Sequence, residues 1–331
     1  MEELMKIFAS VKVEDLSLDF RPFLVVYKDG RLERFIGNQR VPPSTDAVTG
    51  VESQDVVVCP EEEGGVWVRI YKPKGGGGDG GKLPLLVYFH GGGFCVETAA
   101  SPYYHSHLNA LCCKANVIIV SVDYRLAPEH PLPAAYDDSW AAMRWVGIEN
   151  DHPWIKDYAD LSRVFVAGDS AGANIAHNMA KRLGIQNQIE NEKLKLKLKG
   201  MILIHPFFWG KDRIGSEVEK IAKSPGGSSV EKLWEFVCPG TSGSDDPLIN
   251  PAMDPELAEL AAEKVMVCVA EQDTLRDRGV HYKEAVVKSG CKANIELVET
   301  FGETHVFHLL NPGSPNAGPF MDQVAAFLNS C

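Results

Sequence analysis

No two cysteines of this chain are spaced as C-x-x-C, the spacing shared by many zinc sites and redox centres. The eight cysteines are scattered along 331 residues, so the sequence also contains no disulfide framework of the kind found in small secreted domains. We therefore expect no cysteine-ligated metal, and a reduced, cytoplasmic protein.

The chain also has no apolar run that approaches the length of a transmembrane helix. Its first eight residues contain two glutamates and no long apolar stretch, which is unlike a secretory signal or a transit peptide. These features favour a protein without a membrane partner.

Basic residues are in the minority, because 33 Lys and Arg stand against 45 Asp and Glu and the net charge is -12. Nucleic acids and anionic membrane surfaces bind basic faces. Neither is therefore expected as a partner, and a neutral or small organic molecule fits this charge better.

Apolar runs alternate with helical segments from about residue 85 onward, which is the pattern of parallel βαβ units. The runs that predict buried strands lie at 85–89, 117–122, 164–167, 201–204, 265–269 and 295–298. A final helix is predicted over 317–328. Because α/β folds often reach this length as one unit, residues 1–331 are predicted to form a single α/β domain, with a mostly parallel central sheet flanked by helices.

Two parts of the chain depart from this rhythm. Residues 1 to about 50 mix helical and extended character, are interrupted by prolines, and predict an arm rather than a domain. Between Pro206 and about Glu263 the strands stop while Pro, Gly, Ser and aromatic residues accumulate, which predicts an insertion over the sheet edge. Two antiparallel edge strands are predicted at 56–58 and 66–71.

The sequence Gly-Asp-Ser-Ala-Gly at 168–172 lies between a predicted buried strand and a predicted helix. A sharp strand-to-helix turn would present Ser170 at the carboxyl edge of the sheet, and the flanking glycines leave room for it. Backbone N–H groups at the start of the helix would face an oxyanion formed at this serine. Ser170 is therefore the candidate nucleophile, although the pentapeptide alone also fits an ordinary loop.

A serine nucleophile needs a base, and the base needs an acid that orients it. His305 follows a predicted strand by a short loop and is the best-placed base, with His205 second. Asp273 lies just past the strand at 265–269 and is the preferred acid. Two further acids remain as alternatives, Glu271 and Asp277. The resulting chain order of Ser, Asp and His is that of α/β-hydrolase enzymes.

The sequence His-Gly-Gly-Gly-Phe at 90–94 follows the predicted strand at 85–89. Consecutive glycines let backbone N–H groups approach a substrate closely, so Gly92 and Gly93, with Ala171 after the nucleophile, predict an oxyanion hole. A phosphate-binding loop is disfavoured because the G-x-G-x-x-G spacing and the G-K-[ST] ending are missing. His90 is predicted to hold this loop rather than to act as the base.

With these residues the chain resembles the plant carboxylesterases of the hormone-sensitive-lipase-like family of α/β hydrolases. The resemblance rests on the motifs at 90–94, 123–129 (Asp-Tyr-Arg-Leu-Ala-Pro-Glu), 168–172, 205–209 (His-Pro-Phe-Phe-Trp) and 302–305. It implies the same triad and oxyanion hole, and a cap formed by the N-terminal arm, about 1–50, and the insertion, about 207–263. Aromatic side chains would line the substrate pocket, and the candidates, which also suit core positions, are Phe94, Phe207, Phe208 and Trp209.

The first functional prediction is a serine carboxylesterase that hydrolyses small to medium esters through an acyl-enzyme, without a metal or an organic cofactor. Its expected partner is a small-molecule ester or a specialised-metabolite substrate.

The resemblance implies two alternatives. The 2-hydroxyisoflavanone dehydratases and some plant cyclases are similar to these esterases and reuse the same pocket. The sequence Gly-Phe-Cys at 93–95, followed by Glu97, is similar to that of the dehydratase branch. Some of those dehydratases carry threonine at the nucleophile position, so Ser170 favours hydrolysis. The second alternative is a non-catalytic hormone receptor, because gibberellin receptors are similar to these esterases in fold. Those receptors have lost the catalytic histidine, which is present here as His305.

Overall fold

The computed structural model describes residues 13–60, 65–76, 81–148, 151–188, 194–222 and 229–330. Its strands are β1 (Leu16–Phe20), β2 (Leu24–Tyr27), β3 (Leu32–Arg34), β4 (Glu52–Val57), β5 (Trp67–Lys72), β6 (Leu83–Phe89), β7 (Ile118–Asp123), β8 (Ala159–Asp169), β9 (Leu198–Ile204), β10 (Lys264–Ala270) and β11 (Asn294–Thr300). Its α-helices are α1 (Pro102–Ala115), α2 (Ala134–Gly147), α3 (Pro153–Tyr158), α4 (Ala171–Gln186), α5 (Glu217–Ala222), α6 (Ser229–Val237), α7 (Arg276–Ser289), α8 (Phe307–Leu310) and α9 (Ala317–Asn329).

The central sheet has eight strands in the order β11-β10-β9-β8-β6-β7-β5-β4. Strands β6 to β11 pair in parallel, whereas β4 and β5 run antiparallel at one edge. The predicted α/β fold with a mostly parallel sheet is therefore confirmed. Because the strands are parallel, the loops after β6, β8, β9, β10 and β11 meet at one edge of the sheet.

The apolar runs are continuous because both faces of the sheet are covered by helices. On β6, Leu86 and Tyr88 face a core shared with α1 and α9, while Leu85, Val87 and Phe89 face a core shared with α2 and α4. All five side chains are fully buried. Each large apolar side chain buried in this way contributes about 1.5–3 kcal/mol, so the centre of the sheet is a rigid support for the loops at its edge.

The N-terminal arm forms a small antiparallel sheet, β1-β2-β3, apart from the central one. Phe20 at the end of β1 packs edge-on against Phe236 of α6, with ring centroids 5.7 Å apart. Arg34 of β3 binds the Glu129 carboxylate through both terminal nitrogens and donates from Nε to the Cys95 carbonyl at 2.6 Å. The arm is thereby attached to α6 and to the loop that follows β6. Residues 1–12 of the predicted arm lie outside the described residues.

The described residues between β9 and β10 contain helices and turns but no strand, as the sequence predicted. A buried ion pair joins Glu217 of α5 to Arg278 of α7, at 2.6 Å. The Arg278 guanidinium also covers the Trp209 ring at 5.2 Å. These contacts attach the insertion to the domain, and residues 223–228 of the insertion lie outside the described residues. In the part of the chain that the structure describes, no helix is long and apolar enough to cross a membrane.

Candidate functional site

Ser170 lies in the turn between β8 and α4, at the carboxyl edge of the sheet. Its φ is 53° and its ψ is -117°, a backbone conformation that residues other than glycine rarely adopt. The Ser170 N–H donates to the Ile204 carbonyl at 2.8 Å, and the Ser170 carbonyl accepts from the Phe207 N–H at 3.0 Å. The serine is therefore held on both sides in a strained turn, with 8% of its surface exposed.

The two flanking glycines are required by close backbone contacts rather than by their φ angles. A Cβ atom on Gly172 would overlap the Phe89 carbonyl oxygen, and a Cβ atom on Gly168 would overlap the backbone of Gly172. Helix α4 thus begins directly against the end of β6, which brings the glycine loop after β6 next to Ser170.

Asp273 and His305 come together from the loops after β10 and β11. The His305 Nδ1 and the Asp273 Oδ2 are 2.7 Å apart, and the second carboxylate oxygen of Asp273 accepts from the Leu275 N–H at 3.0 Å. Asp273 is buried, whereas about a third of the His305 side chain is exposed. With Nδ1–H directed to the carboxylate, Nε2 of His305 is the nitrogen left to accept a proton from a serine hydroxyl.

The pKa values of this pair shift in the directions that a base and its orienting acid require. Burial raises the pKa of Asp273, but the charge of His305 and its hydrogen bond outweigh burial and lower it overall. Burial lowers the pKa of His305, but the charge of Asp273, their hydrogen bond and the charge of Asp169 outweigh burial and raise it overall. An imidazolium formed during a reaction would therefore be stabilised here.

The predicted oxyanion-hole residues lie at the end of β6 and the start of α4. Gly92 and Gly93 have φ angles of 98° and 60°, and a Cβ on Gly92 would overlap the Val96 carbonyl. Ala171 is the first residue of α4, where helix N–H groups have no intrahelical partner. The Leu233 side chain of α6 lies over this loop, 3.0 Å from the position that a Cβ on Gly93 would occupy.

Asp169 supports the glycine loop, a role that the sequence did not predict. Its carboxylate accepts from the hydroxyls of Tyr88 at 2.9 Å and Tyr104 at 2.8 Å. The Tyr104 hydroxyl in turn accepts from the Gly91 N–H at 2.7 Å. Burial raises the pKa of Asp169 to about 6, against the two tyrosine hydrogen bonds, which lower it. The residue before the candidate nucleophile is therefore connected to the loop that carries the predicted oxyanion donors.

His90 is fully buried at the start of the same loop. Its ring stacks on Tyr124 with centroids 4.2 Å apart, and the Tyr124 hydroxyl donates to the His90 carbonyl at 2.7 Å. These contacts are those of a residue that holds the loop.

The alternative base and acids have other partners. Nδ1 of His205 accepts from the Val306 N–H at 2.9 Å. Asp277 lies in α7 and pairs with Arg276 and with Ser216. Glu271 accepts from the Gly302 N–H at 2.8 Å. Asp273 is thus the one of the three acids that is hydrogen-bonded to His305.

The four aromatic candidates for substrate contact divide into two pairs. Phe94 and Phe207 pack edge-on with centroids 6.1 Å apart, beside the glycine loop and the residues that bind Ser170. Phe208 stacks on Tyr282 at 4.9 Å, and Trp209 lies against Arg278. All four are at most 4% exposed, so a contact with substrate stays a prediction for each of them.

The residues that meet here include one group with metal-ligating atoms. The ligand atoms of His205, Asp273 and His305 all lie within 4.8 Å of one another. Two of these side chains are hydrogen-bonded to each other, as acid and base are in a catalytic triad. The pairing of Asp273 with His305 therefore fits acyl transfer, with a proton between the two side chains.

Comparisons by family model, by sequence and by structure each find proteins similar to this chain. A family model described as α/β-hydrolase fold matches residues 86–309. Probable carboxylesterase 2 of Arabidopsis thaliana is 46% identical over 318 residues, which are 96% of this chain and 97% of that protein. The 2-hydroxyisoflavanone dehydratase of Glycyrrhiza echinata is 42% identical over 328 residues, covering 95% of this chain and 97% of that one. A solved hyperthermophilic esterase from the archaeon Pyrobaculum calidifontis aligns with a TM-score of 0.69 at 27% identity, over 84% of this chain and 85% of that one.

The pH dependence of the site follows from the raised pKa of His305. Only the neutral imidazole can accept a proton, so kcat/KM for p-nitrophenyl acetate is expected to rise with pH through an apparent pKa above the ordinary histidine value of 6.5. Replacing Asp273→Asn removes the charge that stabilises the imidazolium. The apparent pKa should then fall, and kcat should fall on the order of 10³–10⁴-fold.

The matched control is Glu271→Gln, since that residue follows the same strand and keeps an acceptor for Gly302. Its rate and pH profile should stay like those of the unmodified enzyme. The assignment of His305 as the titrating base would be contradicted if kcat/KM of the Asp273→Asn enzyme rose with the same apparent pKa as that of the unmodified enzyme, that is, if the acid limb of the pH profile did not move.

Proposed function

Because this chain belongs to the plant carboxylesterase branch of the α/β-hydrolase fold family, we propose that it is a serine carboxylesterase that hydrolyses small to medium esters. The observation that carries the proposal is the 2.7 Å pairing of Asp273 with His305 at the sheet edge where the strained Ser170 turn also lies. An acid, a base and a nucleophile brought to one edge in this way fit acyl transfer.

The reaction proceeds in two steps. The Ser170 Oγ attacks the ester carbonyl while His305 takes its proton, and the oxyanion accepts hydrogen bonds from the N–H groups of Gly92, Gly93 and Ala171. Collapse of this intermediate breaks the acyl–oxygen bond, and His305 returns the proton to the departing alcohol. Water then attacks the acyl-enzyme by the same route, which releases the carboxylic acid and restores the Ser170 hydroxyl.

The cap in this proposal consists of the N-terminal arm and the insertion between β9 and β10. The contact of Phe20 with Phe236 and the position of Leu233 over Gly93 support this arrangement. Helix α6 then forms the roof of the acyl-transfer site, and its side chains limit the size of the substrate.

The second candidate is a dehydratase, favoured by the 42% identity to a 2-hydroxyisoflavanone dehydratase. An elimination needs the base and the oxyanion donors but no acyl-enzyme, so it uses His305 without covalent attack by Ser170. The two reactions therefore differ in their dependence on one hydroxyl group.

Replacing Ser170→Ala separates the two functions. Hydrolysis of p-nitrophenyl butyrate should fall by roughly 10⁴-fold or more, since only the oxyanion donors and binding contacts remain. Covalent labelling by a fluorophosphonate, read by mass spectrometry, should disappear. The matched control is Ser162→Ala, an exposed serine of the same strand, β8.

Two outcomes would count against the esterase. Unmodified protein that neither hydrolyses p-nitrophenyl esters nor reacts with the fluorophosphonate would refute it. Dehydration of a 2-hydroxyisoflavanone that survives in Ser170→Ala would establish the second candidate instead.

Leu233 should set the acyl length that the enzyme accepts, because it lies over Gly93. Leu233→Ala removes three carbon atoms above the oxyanion hole, so the ratio of kcat/KM for p-nitrophenyl octanoate over acetate should rise roughly tenfold. Leu233→Phe should lower the same ratio. Phe236→Leu is the control, since that side chain of the same helix packs on Phe20 instead. An unchanged ratio in both Leu233 variants would place the acyl group elsewhere.

We infer a cytoplasmic location for the protein. No disulfide joins the cysteines in the ranges that the structure describes, which suits a reducing compartment. A fluorescent protein fused to the C-terminus of the full chain should distribute with a cytosolic marker in plant leaf cells. Accumulation with a chloroplast or secretory marker would contradict this inference.

A further inference from the structure

The segment 204–207, which begins at the last residue of β9, is hydrogen-bonded to the backbone of Ser170. Its first residue, Ile204, accepts from the Ser170 N–H, and its last, Phe207, donates to the Ser170 carbonyl. The position of the serine therefore depends on where this segment lies.

The same segment is also bonded to the residue that follows the base. Nδ1 of His205 accepts from the Val306 N–H at 2.9 Å, and the rings of His205 and His305 are 5.8 Å apart. The backbone N–H of His205 donates to the Cys268 carbonyl of β10 at 2.9 Å. Segment 204–207 thus joins the serine turn, the strand that precedes Asp273 and the histidine loop.

The backbone at this contact is strained. Val306 has a φ of 47°, and His205 itself has a φ of 48°. A β-branched residue with positive φ is a clear outlier that persists only when surrounding contacts hold it. The hydrogen bond from Val306 to His205 is such a contact, and it lies one residue after the catalytic base.

This hydrogen bond requires one form of the His205 ring. Nδ1 must carry no proton in order to accept, so the ring is neutral and protonated on Nε2. His205 is 1% exposed and packs among Phe307, His308 and Phe320. Burial, together with the charge of His305, lowers its pKa to about 3, while the charge of Asp273 opposes the shift. The ring therefore stays an acceptor throughout the pH range in which His305 titrates.

We propose that His205 is a positioning residue for the catalytic base, which holds Val306 in its left-handed conformation and so directs the His305 ring toward Asp273 and Ser170. This inference rests on the esterase reaction proposed above. Without the acceptor, Val306 relaxes, the His305 ring turns, and its hydrogen bond to Asp273 is lost or loosened. A misplacement of about 1 Å is enough to lower a rate on the order of 10²-fold.

The test compares three variants of the full chain. His205→Leu fills the space without an acceptor, and His205→Asn returns an acceptor, since Asn Oδ1 occupies the place of Nδ1. His308→Leu is the matched control: it is a buried neighbouring histidine whose ring nitrogens have no hydrogen-bond partner among the residues described. Thermal unfolding establishes that each variant is folded.

His205→Leu should lower kcat for p-nitrophenyl butyrate on the order of 10²-fold with a smaller change in KM. The acid limb of its pH profile should move to lower pH, because His305 loses the hydrogen bond to Asp273 that raises the pKa of His305. The low-field proton resonance of His305 Nδ1–H should also disappear. His205→Asn should recover most of the activity, the acid limb and the resonance, while His308→Leu should change none of them.

A folded His205→Leu enzyme with the original kcat, acid limb and resonance would overturn the proposal. So would a folded His205→Asn enzyme as impaired as His205→Leu. If His205→Leu does not fold, the comparison is between His205→Asn and His205→Gln, whose amide oxygen reaches the place of Nε2; equal activity of these two would overturn the proposal. Inactive unmodified protein would instead refute the esterase, and the resonance would still test the role of His205.

Discussion

The left-handed backbone of Ser170 is the constraint on which the rest of the site depends. Such a conformation costs on the order of 1–3 kcal/mol and persists only where its surroundings hold it. Here the Ile204 carbonyl and the Phe207 N–H bind Ser170 from both sides, and the glycines at 168 and 172 let α4 begin against Phe89. These contacts are possible because β6, β8 and β9 are hydrogen-bonded neighbours in a sheet that is buried on both faces.

Two buried carboxylates beside this turn have separate roles because their surroundings differ. Asp273 faces an imidazole that can be charged, which lowers its pKa, whereas Asp169 faces two tyrosine hydroxyls and its pKa rises to about 6 through burial. Asp169 holds the glycine loop through Tyr104 and also adds negative charge near His305. One carboxylate outside the proposed triad therefore contacts the loop of the proposed oxyanion donors and also raises the pKa of the proposed base.

The sequence predicted the sheet that the structure contains, and it also allowed candidate triad residues to be chosen, because both inferences depend on local pattern. Buried parallel strands are continuous apolar runs, and chemistry at their carboxyl ends can be located from the residues that follow each run. The supporting contacts have no such signal, because the Tyr104–Asp169 bond joins residues 65 apart and the His205–Val306 bond joins residues 101 apart. The three strands of the arm have only three to five residues each, too few for periodicity to identify. The position of Leu233 over Gly93 likewise depends on how α6 packs.

In the proposed function, the choice between hydrolysis and elimination depends on the space between α6 and the glycine loop. Both proposed reactions place a carbonyl oxygen near Gly93 and use His305 as the base. They differ in the substrate atom that reacts with the protein: Ser170 attacks the carbonyl carbon in acyl transfer, whereas His305 takes a carbon-bound proton in elimination. Helix α6 is held from two sides, by Phe20 on Phe236 and by Phe94 on Trp234. In this proposal, the shape of a substrate beneath Leu233 therefore decides which of its atoms meets Ser170.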